Sequence, residues 1–189
     1  MKKIALTGCI ICLFACTGNT NLTLSKITLR DLKGTEVHLD QMASSGILVL
    51  TFMSPDCPLC INYTRTIRLL HEEFLSDHVN FVMVYAGRYH TVEEILEFQK
   101  EYQLELQGIL DPDFKLTRMV SASVTPQVIV IAPEQKIVYS GAIDDWAYTT
   151  GKKRAVVKQH YLEGAIRKVL NDSLPEPRIT EPIGCIIEL

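Results

Sequence analysis

Apolar and polar positions change period several times along the chain, and each change marks an element. Ile27-Thr28-Leu29 and Val37-His38-Leu39 alternate apolar and polar around Lys33-Gly34, which predicts a short hairpin. Residues 47–53 form a near-continuous apolar run, the pattern of a strand buried on both faces. Cys60, Tyr63, Ile67, Leu70 and Phe74 then recur at steps of three and four, which predicts an amphipathic helix. Residues 79–86 read as the next strand. Thr91-Val92-Glu93-Glu94 fits a capping box, and Ile95, Phe98 and Tyr102 supply the apolar stripe of the helix behind it. Residues 108–110 predict a short strand and 114–119 a short helix. Residues 127–132 are strongly apolar, Pro133-Glu134-Gln135-Lys136 reads as a turn, and 137–140 pairs back as a hairpin. A last helix is expected over 154–170, with Ala155, Leu162, Ala165 and Val169 inward. Residues 173–189 hold three prolines and read as an extended tail. This order of elements implies an α/β fold, a central mixed sheet with helices on both faces. The early strands are parallel and the last two form an antiparallel edge.

The N-terminus has a different pattern. Lys2 and Lys3 precede an apolar segment over 4–15 broken only by Thr7 and Gly8, the charged and apolar regions of an export signal. The segment is shorter than the roughly 20 apolar residues a membrane helix needs. Leu13-Phe14-Ala15-Cys16 resembles a bacterial lipobox, which implies cleavage before Cys16 and lipid attachment to it. An ordinary secretory signal cut nearby is the alternative. The expected organisation is a signal peptide over 1–15, a polar tether over 16–25, a domain over 26–172, and a tail over 173–189 packed on that domain. The expected place is the bacterial cell envelope, lipid-anchored to the membrane and facing the periplasm or exterior.

Export sorts the six cysteines. Cys9 and Cys12 leave with the signal and Cys16 carries lipid, so Cys57, Cys60 and Cys185 remain. Three thiols do not make a structural disulfide framework for a domain this large. One pair and one extra thiol point to redox chemistry. The net charge of −3 and the lack of a basic stripe give nucleic-acid binding no electrostatic support. The five histidines show no metal-ligand spacing, and no motif calls for a cofactor.

Asp56-Cys57-Pro58-Leu59-Cys60 lies between the apolar strand and the amphipathic helix. Zinc sites use the same C-x-x-C spacing, but a helix N-terminus directly after a core strand favours thiolate on the first cysteine. The second cysteine, one turn on, can close a short disulfide. Cys60 begins the inward stripe, so Cys57 is expected to be the more exposed thiol and the nucleophile. Its thiolate would attack a substrate disulfide, and Cys60 would then release the reduced substrate. An ionised Asp56 would oppose the helix by raising the pKa of Cys57. Pro58 suits the first helical position, where its missing N–H costs nothing.

Phe52-Met53-Ser54-Pro55-Asp56-Cys57-Pro58-Leu59-Cys60 resembles the active-site segment of the thioredoxin-like superfamily. Val124-Thr125-Pro126 resembles that family's cis-proline loop, and the elements between the two motifs resemble its redoxin branch, which includes membrane-tethered thiol–disulfide oxidoreductases and peroxiredoxin relatives. Tyr139-Ser140-Gly141-Ala142-Ile143-Asp144-Asp145 and Gly184-Cys185 are similar to a subgroup of redoxin-domain proteins. The resemblance implies a cis bond before Pro126, with the Thr125 backbone turned to Cys57 and free to pair with a substrate strand; a trans proline opening an edge strand is the alternative. It also implies exchange of disulfides with protein substrates and an upstream redox partner. Two residues depart from thioredoxin itself: Asp56 replaces a tryptophan, and Thr51 replaces a buried aspartate that handles protons for the second cysteine. Asp144 or Asp145 would serve only if their loop folds over the site.

Two other functions compete. A thiol peroxidase would place a threonine three residues before the reactive cysteine and an arginine nearby; here Ser54 has that spacing and Arg118 is the nearest late arginine. A Cu(I)-binding thioredoxin-fold chaperone would use soft thiolates, although such proteins space their cysteines C-x-x-x-C. Trp146 is expected to pack, and His90 and His160 to be solvated or packed. Cys185 lies in an apolar segment for a tail, Pro182-Ile183-Gly184-Cys185-Ile186-Ile187, which should fold back on the domain. Gly184 permits a close backbone approach there. Cys185 is then either a third thiol beside Cys57 and Cys60 that could resolve a Cys57 intermediate, or a buried apolar residue fixing the tail.

Overall fold

The computed structural model describes residues 22–189. The hairpin forms from β1 (Leu29–Asp31) and β2 (Glu36–Val37) and runs into α1 (Leu39–Ser45). The core then follows as β3 (Ile47–Phe52), α2 (Pro58–Glu73), β4 (Val79–Ala86), α3 (Val92–Glu101), β5 (Gln107–Asp111) and α4 (Lys115–Val120). After it come β6 (Val124–Thr125), β7 (Gln127–Ala132), β8 (Lys136–Gly141), the small ribbon β9 (Ala147–Thr149) and β10 (Lys152–Lys153), α5 (Tyr161–Leu170), and β11 (Cys185–Ile186). The main sheet has the order β2-β1-β5-β4-β3-β7-β8. β3 pairs in parallel with β4, and β4 with β5, because a helix crosses between each pair. β7 is antiparallel to β3 and β8 to β7.

Alternation along the central strands divides the core into two layers. Ile47 and Val49 join Cys60, Tyr63 and Ile67 of α2, Ile95 and Phe98 of α3, and Leu162, Ala165 and Ile166 of α5. Leu48, Leu50 and Phe52 point the other way, onto Leu39 and Ala43 of α1 and Leu116 and Val120 of α4. Every residue of β3 is buried, as an apolar run between two helical layers must be. The capping box of α3 is present: Thr91 Oγ1 accepts from Glu94 N, and Thr91 N donates to Glu94 Oε2 at 2.7 Å.

Three expectations are corrected. Leu39, expected to end the hairpin, opens α1, and β2 stops at Val37. The last helix begins at Tyr161, not 154, because Asp145 takes the backbone of the preceding stretch: Lys158 N and Gln159 N both donate to Asp145 Oδ1. The end of the polar tether belongs to the domain, since Leu24 sits in a 3-10 turn at 1% exposure and Leu22 N donates to Gln135 O. The rest of the tether, Cys16 and the signal lie outside the described residues. No helix among the described residues is long and apolar enough to cross a membrane.

The tail does not wave free. Ser140 N donates to Arg178 O, and Thr180 N returns a bond to Ser140 O, so the chain runs along the outer edge of β8. Thr180 Oγ1 bonds Tyr139 Oη and accepts from Ala142 N. This covers an edge that would otherwise be open to other strands. From there the tail crosses to the cysteine loop.

Candidate active site

β3 ends at Phe52, and the chain turns through 53–56 before α2 begins. Cys57 is the N-cap of α2 and Pro58 the first helical residue. Cys60, three residues on, points into the layer beneath the helix and is fully buried. Ser54 N lies 3.4 Å from Cys60 Sγ and donates to it.

β6 meets this loop from the opposite side. The Thr125–Pro126 peptide is cis. Cys57 Sγ donates to Thr125 O at 3.1 Å when protonated. The free side of β6 is occupied by the tail: β11 pairs antiparallel with it, Cys185 opposite Thr125 and Ile186 opposite Val124. Ile187 N adds a bond to Ser123 O, and Ile187 itself is buried in the layer that holds Phe52. Burying a side chain of this size contributes about 1.5–3 kcal/mol. Tyr89 Oη donates to Glu188 O at 2.8 Å. Gly184 makes the crossing possible, because a Cβ there would stand 2.3 Å from Thr125 O.

This pairing brings Cys185 Sγ to 2.6 Å from Cys57 Sγ, with all three thiols free. It also removes the expected contrast in exposure between Cys57 and Cys60, since both are buried. Cys57 is 1% exposed and Cys60 0%, while Cys185 is the exposed thiol. The helix period alone had pointed to an outward Cys57; the tail, from the other end of the chain, lies against it.

The three thiols have different proton affinities. The pKa of Cys57 is lowered to about 5. The hydrogen bond from Cys60 is the largest cause, the bond from Cys185 and the N–H groups of Cys60 and Leu59 add to it, and burial opposes them. Burial pushes Cys60 well above the ordinary thiol value, and Cys57 reinforces this. Burial also pushes Cys185 up to about 12, with contributions from its bond to Cys57 and the negative charges of Cys57 and Asp56. At neutral pH the site therefore holds one thiolate between two protonated thiols. Asp56 opposes Cys57 less than expected because its carboxylate is turned to Ser54 Oγ at 2.5 Å and His90 Nε2 at 3.2 Å, and is 75% exposed. Those contacts, the Ser54 bond first, hold Asp56 below the usual carboxylate range.

A cavity of about 250 Å³ opens beside the thiols, lined by Met53, Tyr85, His90, Thr125, Cys185 and Ile187 among others. His90 was expected to be only solvated or packed; it is the residue here that sequence reasoning missed. His90 Nε2 is also 3.1 Å from Ser54 Oγ. Sequence offered one weak signal, a histidine just before a helix cap and after a strand that runs parallel to β3. The carboxylates proposed for proton handling at Cys60 do other work: Asp144 Oδ1 accepts from Tyr63 Oη at 2.6 Å, and Asp145 holds the chain before α5. Thr51 Oγ1 is buried with no partner. Trp146 packs edge-on against Tyr63. Arg118 donates to Asp113 O, and no arginine lines the cavity beside Cys185. Among the described residues no group of three or more His, Cys, Asp and Glu side chains could hold a metal ion.

A family model described as AhpC/TSA matches residues 21–140. The chain belongs to the AhpC/TSA family. As an AhpC/TSA member it is a thioredoxin-like redoxin, and its chemistry is in coarse terms that of an oxidoreductase. The match ends before the tail, so Cys185 lies outside it. No curated protein matches the chain. Among solved structures, a hypothetical protein from Sinorhizobium meliloti superposes with a TM-score of 0.75 at 22% identity, covering 85% of this chain and 89% of the other. An uncharacterised protein from Geobacillus kaustophilus gives 0.75 at 20% identity, covering 86% and 88%. A secreted disulfide oxidoreductase of Mycobacterium tuberculosis gives 0.52 at 19% identity, covering 59% and 79%. These likenesses show that this AhpC/TSA member has the thioredoxin-like fold.

Proposed function

We propose that the protein is an envelope-facing thiol–disulfide oxidoreductase, tethered by lipid at Cys16, that exchanges disulfides with proteins through Cys57 and Cys60. One observation carries this reading: Cys57 stands at the N-cap of α2 with Cys60 one turn on, and its sulfur lies 3.1 Å from Thr125 O at the cis Thr125–Pro126 bond. The thiolate attacks one sulfur of a substrate disulfide, a mixed disulfide forms, and the substrate's other sulfur leaves as thiolate. Cys60 then attacks Cys57, closes the Cys57–Cys60 disulfide and frees the reduced substrate. The reverse sequence oxidises a substrate dithiol. An upstream partner resets the pair in either direction.

For the peroxidase alternative, no arginine lines the cavity beside Cys185; for the copper alternative, no group of three or more His, Cys, Asp and Glu side chains among the described residues is arranged to hold a metal ion. Insulin-disulfide reduction measured against peroxide consumption tests the reading. Turnover of insulin that disappears in Cys57→Ser is expected. Peroxide consumption without disulfide exchange would overturn it. For the tether, the protein should partition into detergent and Cys16→Ser should release it; wild-type protein recovered fully soluble from the envelope would remove the lipid anchor.

A further inference from the structure

The edge of β6 that faces Cys57 is filled by the chain itself. Two residues pair with it in antiparallel register, Ile187 extends the pairing to Ser123, and a cysteine arrives opposite Thr125 with its sulfur on Cys57. An extended segment pairing with a strand edge draws affinity from main-chain bonds and specificity from side-chain positions. The tail has both. Its main chain satisfies β6, and its sequence meets a steric demand at Gly184, where any side chain would strike Thr125 O. Cys57 is buried, and this segment places a sulfur 2.6 Å from its own.

We propose that residues 182–189 are a tethered stand-in for the substrate, and that the edge of β6 docks an extended partner segment carrying a glycine–cysteine step. A partner reaches Cys57 by replacing the tail on β6, so the tail competes with it. The inference rests on the function proposed above and names the substrate class of that site. The stand-in also has chemistry. With Cys57 and Cys60 joined, Cys185 can attack the Cys57 sulfur, forming Cys57–Cys185 and releasing Cys60 as a thiol. One disulfide is broken and one formed, and no outside oxidant is needed. Closing the Cys57–Cys60 bond removes the thiolate charge of Cys57, one of the causes that otherwise hold Cys185 protonated. The partner's cysteine would follow the same path on the same sulfur.

The test uses full-length protein. Gly184→Val drives a side chain into Thr125 O and lifts the tail. Ile187→Asp lifts it by another route, by making its buried anchor charged. Both should raise the rate of insulin-disulfide reduction, and of Cys57 alkylation, by at least about tenfold over wild type, a change equal to about 1.4 kcal/mol. With Gly184→Val protein in its Cys57–Cys60 disulfide form, a peptide Glu-Pro-Ile-Gly-Cys-Ile-Ile-Glu-Leu should form a mixed disulfide with Cys57. The same peptide with valine before cysteine should react at least about tenfold more slowly by the same conversion. Wild-type rates in both variants, or equal capture of the two peptides, would overturn the inference. So would loss of activity in both variants with native circular dichroism, since the tail would then be part of the machinery. Reduction of a small aromatic disulfide, which needs no strand docking, separates the two readings: if wild type and variants alike fail there, it is the oxidoreductase function that falls.

Discussion

Three thiols within one loop crossing change what a single substitution reports. In a two-cysteine site, replacing the second cysteine strands the mixed disulfide. Here Cys185 stands 2.6 Å from Cys57 and can take over that step. Cys60→Ser alone should therefore accumulate a Cys57–Cys185 disulfide, and only Cys60→Ser with Cys185→Ser should trap substrate on Cys57. Non-reducing electrophoresis and peptide mass spectra distinguish the two. The same cluster sets the pH response. Thiolate absorbance of reduced protein should show one step near pH 5 from Cys57, and Cys185→Ala should move it upward because one donor to the thiolate is lost. The sign for stability follows. A thiol whose folded pKa lies below its unfolded value of about 8.5 stabilises the fold above that value. That stability fades as the pH falls through about 5, so the reduced protein should lose melting temperature over that range relative to Cys57→Ser. Cys57, Cys60, Thr125 and Pro126 could be singled out from sequence because short motifs carry them. The cluster of Ser54, Asp56 and His90 could not, since His90 comes from beyond β4 and its place before a helix cap says nothing of Ser54 or Asp56.

Elements were legible where one face of the local pattern met one neighbour. β3, α2 and β4 follow their apolar periods, and α3 starts at its capping box. Thr91→Ala should cost about 1 kcal/mol in chemical denaturation without changing thiol reactivity, because an N-cap serves only its own helix. Where a distant side chain competes for the backbone, the local pattern fails. Residues 154–160 have an acceptable helical composition, but Asp145 binds two of their N–H groups and Arg154 is drawn to the Asp145 carboxylate. The two-residue strand β11 is shorter than any periodicity can detect; its existence depends on β6 offering an unpaired edge 60 residues earlier in the chain (185 − 125).

For the whole molecule, the α/β layering follows from the order of periods, and the tail's path does not. That path is fixed by two anchors. The first, at Thr180, joins Tyr139 and Ser140 of the outer strand and Ala142 just beyond it; the second, at 185–187, joins β6. Thr180→Ala leaves Ala142 N without its acceptor, so it should cost about 1–3 kcal/mol of stability, measurable as a lowered melting temperature. It should also speed protease cleavage of the tail. Failure to change either would mean that the tail is held by its far end alone.

The first anchor shares no hydrogen bond with the second, so release of 185–187 need not free Thr180. Cys185 is the fifth residue after Thr180, so a released tail keeps its thiol within roughly 17 Å of that point. A sulfur confined to a sphere of that radius returns to Cys57 with an effective concentration on the order of tens of millimolar. A cysteine arriving on another protein at micromolar concentration cannot match that by collision. Selection among partners therefore depends on how long a complex lasts. A protein that also grips the outer surface of this domain, and so becomes a local reactant itself, gains disulfide exchange, while passing thiols meet a site already spoken for.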